Sequence, residues 1–143
     1  QTEHQPARTL YGIEIRTSNH APHKIAELWE RFQSESIADE IPERADDRII
    51  AAYHSYEGDH TQPYTYFLGC EVIDVACVPE GFVLREIPAG DYVPFSAQGK
   101  MPQALLSAWQ RIWNSDLRRS YAVDFEVHDP ALPDEVSIFI GVH

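Results

Sequence analysis

PHKIAELWERF (residues 22–32) returns later in the chain as PQALLSAWQRI (102–112). Both copies keep one spacing from proline to tryptophan, Pro22 to Trp29 and Pro102 to Trp109, and each tryptophan is followed by x-Arg. Ile25, Leu28, Trp29 and Phe32 recur at helical spacing, which predicts a helix over 22–37; the second copy predicts one over 102–114. Proline suits a first helical turn because no intrahelical bond awaits its missing N–H.

Strand signals surround each helix. They cover 9–16 before the first helix, and 48–56 and 64–75 after it, joined by the turn-rich EGDHTQP (57–63). Strand material follows over 82–97, and strands over 120–128 and 135–142 flank the second helix on its far side. In the helix register Ile13 and Ile15 match Val93 and Phe95. In a second, hairpin register Tyr53 matches Phe125, Tyr56 matches His128, Phe67 matches Phe139 and Gly69 matches Gly141, so that His54 corresponds to Glu126. The order of these matches predicts a duplicated β-α-β-β unit. Two such units side by side define an α+β fold: a curved antiparallel sheet, two main helices and a central ligand pocket at the pseudo-twofold junction. A single domain over 1–143, with its core over about 9–142, is expected from the length.

Charge narrows the function. Acids outnumber bases by 23 to 11, for a net charge of −12, and no basic stripe interrupts them. Direct nucleic-acid binding, which draws its affinity from Lys and Arg on phosphates, is therefore not expected. The balance serves solubility first and favours cationic partners second. No apolar run has membrane-spanning length. Cys70 and Cys77 form no C-x-x-C pair and read as free thiols of a cytoplasmic protein. His20 and His23 make an H-x-x-H without a third ligand nearby, so surface histidines are expected and no metal. There is no G-x-S-x-G elbow, and PAGDY and AQGKMP read as turns rather than a phosphate cradle, so no cofactor is expected.

The aromatic residues carry more information. Trp29, Trp113 and Phe32 read as core. Tyr53, Tyr56, Tyr64, Tyr66 and Tyr92 combine a ring with a hydroxyl that needs a partner when buried, and together they suit a flat organic molecule. In YAVDFEVHDP (121–130), Tyr121, Val123, Phe125 and Val127 alternate as an apolar face, while Asp124, Glu126 and His128 share the other. An acid amid rings suits a lipophilic cation; a solvated strand face is the competing reading.

The segments YHSYEGDHTQPYTYFLGCEV, EIPAGDYVPFSAQG, AWQRIW, DFEVHDP and EVSIFIGV, taken in this order, resemble the gyrase-inhibitor-like family, from about Leu10 to Val142. The same module forms the effector-binding part of AraC-type and MerR-type multidrug regulators, and stand-alone copies occur in integron cassettes. The resemblance implies a pocket for hydrophobic, often cationic compounds, with Glu126 matching the acid that pairs with the ligand's charge. Tyr92 matches the family's tyrosine after the PAG turn, and Trp109 its helix tryptophan. With the rings and strand positions read above, the expected ligand-binding set is Glu126, Tyr92, Trp109, Phe139, Tyr56, Tyr66, His54 and Phe67. His128 stands where the family often has tyrosine, and Pro94 removes a ladder donor, which predicts an edge or bulge. The expected partner is a hydrophobic cationic small molecule, with no membrane; a homodimer is left open. Two alternatives stand beside this reading. One is a hydrolase of reactive cyclopropane-type genotoxins with Glu126 as general base, and the other a gyrase-inhibitor-like protein-binding module.

Overall fold

The computed structural model describes residues 2–59, 61–73 and 78–142. Its elements are β1 (Glu3–Gln5), β2 (Arg8–Thr17), α1 (Pro22–Ser34), α2 (Ile37–Glu40), β3 (Ile49–His54), β4 (Tyr64–Glu71), β5 (Val83–Ile87), β6 (Gly90–Gln98), α3 (Gln103–Trp113), β7 (Arg119–His128) and β8 (Glu135–Val142). All eight strands join one antiparallel sheet in the order β1-β6-β8-β7-β3-β4-β2-β5. From the centre outwards β3-β4-β2 mirrors β7-β8-β6, so the repeat is present as two β-α-β-β units meeting at the β3–β7 seam. Cys77 and His60 lie outside the described residues; Cys70 is a free, buried thiol.

Pairing on the outer strands follows the helix register. Gly12 lies across from Gly69, and Tyr92 across from Gly141. The hairpin register is corrected by one residue. Phe67 pairs with Ala52, but its equivalent Phe139 pairs with Phe125. Tyr53 is therefore equivalent to Glu126, not to Phe125, and His54 is not the counterpart of Glu126. A one-residue slip reverses the face of every side chain, so matching ring to ring had put Tyr53 on the wrong side.

The edges explain the curl. β1 pairs with β6 and β5 with β2, so each unit's outer strand is flanked by a strand that precedes the other unit. Only Pro6-Ala7 separates β1 from β2, and only Pro88-Ala89 separates β5 from β6. Such links span on the order of 10 Å, so the two ends of the sheet must approach each other. The inside of the curl is filled by Leu10, Ile50, Ala52, Phe67, Ile87, Tyr92 and Phe125. Phe125 stacks on Phe139 at 4.9 Å, and the Arg8 guanidinium lies 5.2 Å from the Phe125 ring centre. Pro94 sits beyond Tyr92, where β1 no longer covers β6, and so occupies a free edge as its missing N–H requires.

The helices cover the outer face. α1 packs on β2 and β4, and α3 on β6. Two separate apolar clusters result: Tyr11, Ile13, Leu28, Phe32 and Leu68 under α1, and Ala97, Ala108, Ile112, Val136 and Ile138 under α3. Tyr53 touches both. α1 stops at Ser34, short of the expected 37, because Ser36 is left-handed at φ 50° and turns the chain into α2. No described helix is long and apolar enough to cross a membrane.

A Cβ on Gly69 would lie 2.2 Å from the Tyr11 carbonyl oxygen, whereas one on Gly90 would meet nothing nearer than 4.0 Å. Gly69→Ala should therefore destabilise by about 1–3 kcal/mol, the usual range for overpacking, and Gly90→Ala should change little. Urea unfolding midpoints of the two variants check this.

Candidate functional site

Because the helices sit over the outer strands, the central pair β3 and β7 is left as the floor of a cleft between them. The cleft measures about 1040 Å³. Trp29, Ile25 and Ala26 of α1 form one wall, and Leu105, Leu106, Trp109 and Trp113 of α3 the other; Tyr53, Tyr56, Tyr64, Tyr66, Glu126 and His128 line it from below. The volume suits a drug-sized molecule.

Glu126 is 1% exposed and carries three hydrogen-bond partners. Trp109 Nε1 donates to its Oε2 at 2.7 Å, and the Tyr53 hydroxyl donates to the same oxygen at 2.8 Å. His128 Nε2 meets Oε1 at 2.8 Å, and its ring packs on Trp29 at 4.9 Å. Ala51 lies directly across from Glu126, and its small side chain leaves the floor open there. The second acid, Asp124, is fully buried. It accepts from Arg119 Nη2 at 2.6 Å, from the Gly141 amide at 2.8 Å and from the Tyr56 hydroxyl. Burial works against the Arg119 charge, but Asp124 outweighs it and keeps the guanidinium protonated.

The negative charge of Glu126 reaches the surrounding phenols. Burial first, and Glu126 second, push Tyr53 and Tyr66 well above the ordinary tyrosine range and Tyr64 up to about 12. Burial and then Asp124 do the same to Tyr56. The hydroxyls are held in chains: Trp29 Nε1 donates to Tyr66 Oη at 2.8 Å, and Tyr64 donates to Asn19 at 2.8 Å.

Of the residues expected to bind ligand, Glu126, Trp109, Tyr56 and Tyr66 meet in this cleft. Tyr92, Phe139 and Phe67 do not. Strand parity sends them to the inside of the curl, where Tyr92 and Phe139 both pack on Phe125. His54 also leaves the site; it bonds Glu14 at 3.1 Å and borders a smaller hollow of about 230 Å³. Burial would raise the Glu14 carboxyl, but Arg85 and His54 hold it below the usual range. Trp29 and Trp113, read as core, line the cleft instead, while Phe32 is core. Tyr121 departs from the apolar face expected of it. The β7–β8 register shifts between Arg119 and Asp124, Tyr121 takes φ 54°, and its ring turns towards Tyr56 at 5.6 Å. Arg119 was missed because that bulge breaks the alternation; Asp124 was legible, being two residues before Glu126 on one strand face. His20 and His23 are exposed.

A duplicated, curled antiparallel sheet flanked by two helices is the architecture of a gyrase-inhibitor-like effector-binding module. The chain belongs to the integron-associated effector binding protein family (Cass2), whose sequence profile matches residues 2–142. It is similar to the integron cassette protein VCH_CASS2 from the mobile metagenome of Vibrio cholerae, at 27% identity and TM-score 0.83 over 100% of this chain and 95% of that one. The structure of SAV2435 bound to tetraphenylphosphonium has the same fold, at 18% identity and TM-score 0.81 over 100% of this chain and 93% of that one. YobU of Bacillus subtilis (strain 168), named as a candidate transcriptional regulator, is 28% identical across 97% of this chain and 94% of its own length.

The raised phenols make an alkaline prediction. Unfolded tyrosines ionise near 10, whereas Tyr64 holds its proton to about 12 and Tyr53, Tyr56 and Tyr66 beyond the ordinary range. Above 10 the unfolded chain therefore binds fewer protons than the folded one, and stability falls as pH rises from there. Absorbance at the phenolate band should show these four titrating late, together with loss of structure.

Proposed function

We propose that the chain is a non-catalytic binding protein for hydrophobic cations, which enter the cleft between α1 and α3. The observation that carries this reading is the charge of the cleft floor. Asp124 is neutralised by Arg119, whereas Glu126 receives neutral donors from Trp109 and Tyr53 and meets a histidine. One buried negative charge is left without a permanent counter-ion, and Glu30 adds another at the rim. A carboxylate this deep is felt through its field and through the rings above it. Such a site favours a cation whose charge is spread and sheathed in apolar groups, since a compact ammonium would lose its hydration on entry. Each ring facing the charge contributes about 0.5–2 kcal/mol of cation–π attraction, and buried ligand area adds about 25 cal/mol per Å².

The tetraphenylphosphonium held by the fold neighbour is a cation of this kind, which supports the ligand class. The family and the regulator-like relative support an effector-sensing setting. Hydrolysis is less well served. Three of roughly four acceptor positions on the Glu126 carboxylate are taken, so it acts as a fixed counter-charge rather than as a base poised over water.

Titration with tetraphenylphosphonium, followed by tryptophan fluorescence, tests the reading. Trp29, Trp109 and Trp113 line the cleft, so saturable quenching is expected. Glu126→Gln keeps an acceptor for Trp109 and Tyr53 but removes the charge, and should weaken binding at least about tenfold. Equal affinity in both proteins overturns the charge pairing. Mass spectrometry should recover the offered compound intact; a hydrolysis product from a cyclopropane electrophile would favour the enzyme instead.

A further inference from the structure

Arg119 holds more donors than the protein uses. Its side chain is 4% exposed and lines the cleft. Nη2 bonds Asp124, yet Nε and Nη1 are buried without a hydrogen-bond partner among the described residues. Native proteins rarely leave buried donors of a charged group unpaired. The other such atom, Nε of Arg8, belongs to a guanidinium on the inner face over Phe125, whose two outer nitrogens are bonded to Glu71 and Gln5.

The setting of Arg119 is built rather than incidental. Tyr121, a non-glycine residue in left-handed backbone, brings its ring to 4.4 Å from the guanidinium carbon. That conformation is uncommon and disfavoured for a bulky side chain, and bulges often re-aim side chains beside functional sites. On another side the guanidinium lies 6.0 Å from the ring centre of Trp109, the same indole whose N–H bonds Glu126. One ring therefore separates the free donors from the uncompensated acid.

We propose that Arg119 is a second polar anchor of the cleft, and that the preferred ligand is an aromatic cation carrying a hydrogen-bond acceptor, best a carboxylate, about an indole's breadth from its positive charge. The positive end faces Glu126 and the acceptor takes one of the two idle donors, Nε or Nη1, which diverge and so do not share a single carboxylate. The bond from Nη2 to Asp124 leaves the Nε and Nη1 donors unengaged, so a second acceptor can be bound by one of them while the Asp124 pair stays intact. The proposal rests on the reading of Glu126 as a cation counter-charge and adds to it the second half of the ligand.

Two phosphonium ions that differ by one group test it: benzyltriphenylphosphonium and its 4-carboxybenzyl analogue. The readout is the ratio of their dissociation constants, measured by tryptophan fluorescence. Wild type should favour the carboxylated ion about tenfold or more, and the double variant Arg119→Gln/Asp124→Asn, which removes the buried pair together, should lose that preference. A co-crystal with the carboxylated ion is the second measurement, should the double variant not fold; its carboxylate should lie within hydrogen-bond distance of Nε or Nη1. An unchanged ratio in the variant, no preference in wild type, or a carboxylate pointing to solvent each overturns the assignment. Failure of the plain ion alone to bind overturns the Glu126 reading while leaving Arg119 standing, and failure of both ions overturns both.

Discussion

A carboxylate placed in the middle of a sheet has to be stabilised by donors brought from elsewhere, and Glu126 takes them from both halves of the molecule. Tyr53 comes from β3 of the first unit, Trp109 from α3 of the second, and His128 from its own strand, where it packs on Trp29 of α1. The two helices and the central seam thus converge on a single functional group. A hydrogen bond to a charged partner contributes about 1.5–3 kcal/mol, and leaving such a charge without partners costs more. The arrangement of the walls is therefore tied to the acid on the floor.

Asp124 meets the same difficulty differently. It lies two residues away on the same strand face, fully buried, and is matched with a permanent cation. Side by side, the two acids differ: one belongs to the framework, joining the start of β7 to the Gly141 amide and to Tyr56, and the other faces the cleft without a permanent counter-ion. Replacing the residue at Gly141 would disturb the first acid directly, because a Cβ there would come within 2.6 Å of the Val123 carbonyl oxygen.

Much of this was legible in the amino-acid order. The paired proline-tryptophan helices, the outer strand register and the place of Glu126 beside Trp109 all follow from spacing or from family resemblance. Faces were harder. Phe67, Phe139 and Tyr92 look like ligand-facing rings, yet the curl of the sheet gives its inner side an apolar core of its own, so period-two alternation had two buried faces to choose between. Trp29 and Trp113 carry the opposite lesson: apolar positions on a helix point inward, but here inward includes a hollow. Arg119 was beyond reach, since a bulge with a left-handed tyrosine breaks the parity that would have placed it.

The swapped edge strands have a mechanical consequence. With β1 laid on β6 and β5 on β2, and a Pro-Ala tether closing each crossing, the twin lobes are clasped at the far rims as well as joined along the seam. A hinge at β3–β7 would have to tear both clasps to swing. Any change in the width of the cleft must then come from rotamer changes along the helix walls, with the floor beneath them held stiff.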